Sequence, residues 1–127
     1  MMSGDGDRPR AAGVEPGAAA ILTRSRDLIT RGWTRGAEAR DSAGAEVDPW
    51  SADACHWSLL GALVAAADLA ADPDAASLRR LRQALGALAE VIEEPLLATW
   101  NDDPCRTQAE VIETLDAAIR ICARGVM

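Results

Sequence analysis

Two short stretches of this chain gather side chains able to do chemistry. The first is Cys55-His56, a thiol beside the chain's single imidazole. A thiolate next to an imidazole is how cysteine nucleophiles are activated, and both groups ligate metals. The second is Trp100-Asn101-Asp102-Asp103-Pro104-Cys105-Arg106-Thr107-Gln108-Ala109-Glu110. It sets an amide, carboxylates and a guanidinium beside a helix start, a combination that orients small polar ligands.

Each stretch also has a structural reading. Neighbouring residues on a helix point about 100° apart, so Cys55 and His56 do not face each other if a helix carries them. Asn and Asp fold back on their own backbone in turns, and Thr107 with Glu110 spells a capping box. Asp102 and Asp103 near Arg106 more commonly form a local ion pair than an active site. No C-x-x-C, H-x-x-x-H, calcium loop or glycine-rich phosphate loop occurs, so neither a metal site nor a cofactor is expected, and no catalytic set is assigned. Cys55, His56, Asn101, Asp102, Arg106 and Thr107 remain as candidate ligand-binding residues.

The elements that must position these groups are helical. The 127 residues are 49% apolar, enough for one core, and contain neither Phe nor Tyr. Alanine supplies helix propensity but little burial, so leucine, isoleucine and the four tryptophans must furnish most of the hydrophobic stabilisation. Residues 1–16 lack periodicity and read as a flexible tail, followed by a single helical domain over 17–127. A first helix is expected from Gly17 or Ala18 to Arg31, with Ile21, Leu22, Leu28 and Ile29 on one stripe and Gly32 as a left-handed stop. Residues 33–49 carry Gly36, Gly44 and Pro49 and predict a short hairpin or ordered loop, turning at Asp41-Ser42-Ala43-Gly44.

A second helix, capped by Asp48 or Ser51 and running to about Ala70, is apolar nearly all round from Trp57 to Ala67 and is expected at the centre. That start places Cys55 in its first turn, where the positive helix end favours an anionic sulfur. Gly61, Ala62, Ala65 and Ala66 leave room for neighbouring backbones. Asp72-Pro73-Asp74 breaks the chain before a third helix to about Glu94, striped by Leu78, Leu81, Leu85, Leu88 and Ile92. Leu96, Leu97 and Trp100 form an apolar turn, and a fourth helix starts at Thr107 and ends near Arg124-Gly125. The fold class is therefore mainly α: a small four-helix bundle with a hairpin or loop between its first two helices.

In combination, Gly32-Trp33-Thr34-Arg35-Gly36-Ala37, Ala39-Arg40-Asp41 with Gly44, Cys55-His56-Trp57-Ser58-Leu59-Leu60-Gly61-Ala62-Leu63, and Trp100-Asn101-Asp102 with Arg106-Thr107 and Glu110-Val111 resemble an uncharacterised family of small bacterial and phage proteins, a domain of unknown function. The likeness spans roughly residues 20 to 120. In that family a cysteine-containing step often precedes the Gly-Ala-Leu; Trp57-Ser58 stands there in this chain. The resemblance implies no activity, cofactor or site.

Charge narrows the function classes. The formal net charge is −7 and every basic residue is arginine; such a balance repels phosphate backbones, so nucleic acid is not an expected partner. Arg79, Arg80 and Arg82 read as a solvated helix face. The longest apolar run, Leu59 to Ala67, is about half of a membrane span, no signal peptide is visible, and three cysteines make no disulfide framework. A cytoplasmic binding or accessory protein is the leading expectation, its partner another protein or a second copy of itself. Trp33 and Trp50, flanking the non-helical insertion, are the candidate interaction residues. The alternative is a small-ligand-binding protein or modest enzyme with its pocket between the Trp100–Thr107 connector and the start of the second helix.

Overall fold

The computed structural model of the chain describes residues 17–68 and 74–125. The expected tail at residues 1–16 and the Asp72-Pro73 break lie outside the described residues; the second helix, expected to reach about Ala70, ends at Ala66 with Ala67 as its C-cap. Within the described residues the protein is mainly helical, with five helices and one two-stranded ribbon.

Helix α1 (Gly17–Arg31) buries Ile21, Leu22, Ser25 and Ile29 on one stripe. The buried Ser25 hydroxyl donates to the Ile21 carbonyl at 2.8 Å, which removes the cost of an unpaired polar group. Gly32 follows, but not in the left-handed conformation expected of it; the glycines at positive φ are Gly17, Gly36 and Gly44. It is glycine for space. A Cβ there would stand 2.2 Å from the Cys55 carbonyl oxygen.

The insertion folds as a ribbon. Strands β1 (Ala39–Arg40) and β2 (His56–Trp57) pair antiparallel, Ala39 opposite Trp57 and Arg40 opposite His56. Single bridges add Trp33 beside Trp57 and Glu46 beside Arg40. Asp41 makes the turn: its Oδ1 accepts from the Ala43 and Ala45 N–H groups, both at 2.9 Å, while Gly44 takes φ +88°.

The second helix begins later than its composition predicts. Helix α2 spans Leu59–Ala66, with Ser58 as its N-cap accepting from the Gly61 N–H. Asp48 and Ser51 instead start two tight turns, Ser51 N–H to Asp48 O and Ala54 N–H to Ser51 O. The N–H groups of Cys55, Trp57 and Ser58 then go to Arg40, Gly32 and Glu38 carbonyls at 2.9–3.1 Å. Those long-range partners outcompete the helix that local propensity favours. Neither Cys55 nor Asp53 is in a helix, so the thiol does not stand in a helix first turn as expected.

Helix α3 (Ala75–Ala89) is capped by Asp74 and buries Ala84, Ala87 and Leu88. It stops short of Glu94, and Ile92 reaches the core from a following turn in which both its N–H and that of Val91 bond the Leu88 carbonyl. Leu78, expected on the inner stripe, is exposed. The expected apolar turn is a helix of its own, α4 (Leu97–Asp102). Helix α5 (Gln108–Gly125) buries Val111, Leu115 and Ala118. Its capping box forms as read: the Thr107 N–H donates to Glu110 Oε1 at 2.9 Å and the Glu110 N–H to Thr107 Oγ1 at 3.2 Å.

Helix α1, not α2, is the hub, packing against α2, α3 and α5. Arg26 and Asp116 join α1 to α5 across 2.7 Å. Gln108 at the start of α5 donates to the Ile29 carbonyl at 2.7 Å, capping a group at the end of α1 that has no helical partner. Helix α2 is eight residues long and five of them are buried. Its Gly61 lies against the ribbon so closely that a Cβ would sit 1.9 Å from the Glu38 carbonyl oxygen.

Candidate functional site

Asn101 is fully buried at the end of α4, and every hydrogen-bonding position of its amide is occupied. Oδ1 accepts from the Trp33 indole N–H at 2.8 Å and from the Leu59 N–H at 3.0 Å. Nδ2 donates to the Thr34 carbonyl at 3.1 Å and to Asp102 Oδ1 at 3.0 Å. One side chain thus ties α4 to the exit of α1 and to the first turn of α2. Asp102 extends the tie by accepting from the Gly36 N–H at 3.0 Å.

Two arginines close the outside of this cluster. The Arg35 guanidinium lies 4.6 Å from the Trp33 ring centre and donates to the Asp103, Pro104 and Arg106 carbonyls. Arg106 stacks 3.9 Å over the Trp100 ring, donates to the Trp100 carbonyl at 3.0 Å, and has Asp103 and Glu110 at 4.0 and 3.9 Å. Planar guanidinium over an aromatic face is a favourable cation–π arrangement. Asn101, Asp102, Arg106 and Thr107 are therefore brought together, with the Thr107 hydroxyl serving the α5 cap. A hollow of about 210 Å³ beside them is lined by Gly36, Glu38, Ser58, Leu60, Ala98 and Asp102.

Cys55 and His56 do not line that hollow. They sit at the start of β2 and contact each other, Sγ 3.3 Å from Nδ1. An extended backbone allows what helical geometry forbids. Among the described residues no group of three or more His, Cys, Asp or Glu side chains is placed to hold a metal ion. No helix there is long and apolar enough to cross a membrane.

The tryptophans divide by role. Trp57 is buried in the core and its indole N–H donates to the Pro49 carbonyl at 3.0 Å. Trp33 and Trp100 are half-buried against the core. Trp50 is 45% exposed. It forms one rim of a groove of about 400 Å³ floored by Leu28, Trp57, Ala65 and Ala66 and edged by Arg24, Asp27, Arg31 and Asp68. Arg31 lies over the Trp57 ring at 5.5 Å, and Arg24 faces Asp68 at 3.9 Å. Sequence reading singled out Trp50 but none of these charged neighbours. Their signal was present: Arg24, Asp27 and Arg31 are spaced by three and four, so they share a face of α1.

These features define a class: a small, mainly helical domain whose ribbon is locked onto its helices by one buried asparagine and two stacked arginines. More particularly, residues 14–121 match the model of a family described as Family of unknown function (DUF6197), and the chain belongs to that family. Neither a curated protein nor a solved structure matches it.

Proposed function

We propose that the protein works by binding another protein, and that the groove edged by Trp50 is where it binds. The exposed indole is the observation that carries this reading. A large aromatic left open to water beside arginines has the make-up of an interaction hot spot. The groove joins an apolar floor to charges of both signs, which suits a peptide segment that inserts an apolar side chain and flanks it with polar ones. The occupant we favour is such a segment of a different protein; a second copy of this chain is the other outcome to be tested.

The saturated amide of Asn101 favours the same reading over a small-ligand site at the connector. Any ligand gripping that amide must displace an internal partner, leaving a buried donor or acceptor unpaired. The connector thus acts as a lock and recognition is left to the outer surface.

The test begins with affinity isolation from the native host, followed by direct titration of the recovered protein in purified form. Trp50→Ala is expected to weaken that binding about tenfold or more without altering the circular dichroism spectrum. Equal affinity of wild type and Trp50→Ala would sink the groove as the site. Sedimentation of the protein alone decides between a foreign partner and self-association. A metabolite that raises the melting temperature, with the rise lost in Asp102→Ala at unchanged fold, would transfer the function to the connector.

A further inference from the structure

The Cys55–His56 contact is not used by the binding surface, and its construction is specific. The Cys55 N–H is held by the Arg40 carbonyl at 2.9 Å and the Trp57 N–H by the Gly32 carbonyl at 3.1 Å, so the backbone is fixed on both sides of the pair. The imidazole edge lies against the end of α1, its Cδ2 only 2.9 Å from where a Gly32 side chain would begin. The ring occupies room that only glycine leaves. The thiol itself is half-exposed, with Sγ 3.3 Å from Nδ1.

The other two thiols lack this arrangement. Cys122 is partly shielded in α5, where burial and then Glu90 push its thiol up. Cys105 is exposed, and its backbone N–H donates to the Asp103 carboxylate at 2.8 Å. The chain has one histidine, so Cys55 alone has an imidazole beside it. Charges of both signs surround the pair: Asp53 lies two residues before Cys55, and Glu46 is bridged to Arg40 on the ribbon. Arg40 is directly opposite His56 on the ribbon, held by Thr34 Oγ1 and by the Gly44 and Arg35 carbonyls, and Arg31 covers neighbouring Trp57.

We propose that Cys55 is a thiol-modification site for low-molecular-weight disulfides, with His56 as the base that receives its proton. The sulfur attacks one sulfur of the small disulfide. A Cys55–S–S–R bond forms, the original S–S bond breaks, and the second half leaves as a thiolate. The proton taken up at Nδ1 then passes to that thiolate, so one thiol and one disulfide give one mixed disulfide and one thiol. The incoming disulfide is the oxidant and no other reactant is required.

Glutathione disulfide is a suitable probe, added to the full-length protein at pH 7 with the site and rate of labelling followed by mass spectrometry. Cys55 is expected to label first, ahead of Cys105 and Cys122. His56→Ala and His56→Asn, changes at an exposed position, should both slow labelling roughly tenfold at pH 7 and much less near pH 9.5, where alkali rather than a side chain removes protons from thiols in general. Asn retains an acceptor close to the place of Nδ1 but cannot take a proton, so a wild-type rate in His56→Asn overturns the base. First labelling at Cys105 overturns the site. Circular dichroism of each variant checks that the helical fold persists, and Cys55→Ser should abolish the early adduct while leaving the spectrum unchanged.

Discussion

Asn101 is a fully buried polar residue whose amide makes four hydrogen bonds. Truncating it to alanine leaves the Leu59 N–H and the Trp33 indole N–H without their acceptor. At roughly 1–3 kcal/mol for each buried donor left unpaired, Asn101→Ala is expected to lower unfolding free energy by about 2–4 kcal/mol in urea titration. Asn101→Asp probes the other half of the amide. It keeps the acceptor but turns a donor into an oxygen facing the Thr34 carbonyl and the Asp102 carboxylate. The new acid is then pushed toward its protonated form, so the variant should regain stability relative to wild type as pH falls from 7 toward 4.5. A flat difference across that range would mean that the side chain had moved out of the cluster. In the sequence Asn101 reads as a turn residue, because its neighbours Asp102, Asp103 and Pro104 are turn formers. Three of its four partners are 42 to 68 positions away. Local pattern carries no trace of them. Thr107 and Glu110, by contrast, were legible because a capping box is complete within four residues.

Among the elements, two glycines in helices make a controlled comparison. Gly86 in α3 has open space where a side chain would go, so Gly86→Ala should stabilise the protein by about 0.5–1 kcal/mol through helix propensity. Gly61→Ala adds the same propensity but drives a methyl group into the Glu38 backbone. It should cost roughly 2 kcal/mol or more, seen as melting temperatures that move in opposite directions. The Asp74 cap at the start of α3 is acid-sensitive. Hydrogen bonds from Ser77, backbone first and then side chain, hold its carboxyl below the usual carboxylate range. A carboxyl depressed in the folded state contributes stability above its unfolded pKa, and that contribution is lost as pH falls through the folded value. Asp74→Asn retains a capping acceptor and cannot titrate. Wild type should therefore lose stability against this variant on acidification, and not between pH 6 and 8. The helices α1, α3 and α5 could be read from apolar spacing. The start of α2 could not, because ribbon carbonyls from Gly32, Glu38 and Arg40 claim N–H groups that a helix would otherwise use.

At the scale of the molecule, the core and the proposed recognition surface are separable. Trp57 faces inward and bonds Pro49, while Trp50, seven residues earlier, stands at the rim. Trp50→Ala should therefore shift the melting temperature little, within the range of about 0.5 kcal/mol typical of surface substitutions, whereas Trp57→Ala should cost about 3–5 kcal/mol as a large core truncation. Hydrophobic content and the absence of other aromatics made a tryptophan-anchored helical core foreseeable. Which helix stands at the middle was not foreseeable. Helix α2 is the most uniformly apolar, but the ribbon takes its first turns and leaves it too short to serve as the hub.

The Asn101 amide also joins segments that lie far apart along the chain. Thr34 and Asn101 are 67 positions apart, and Leu59 and Asn101 are 42 apart. Closing loops of that size loses chain entropy that no single contact repays, so the Asn101 bonds are expected to form together as α4 docks. Ribbon, α4 and the first turn of α2 should then open and close as one cooperative unit. In native-state hydrogen exchange, the Leu59 amide, bonded to Asn101, and the Gly36 amide, bonded to Asp102, should report the same opening free energy and lose protection together in Asn101→Ala.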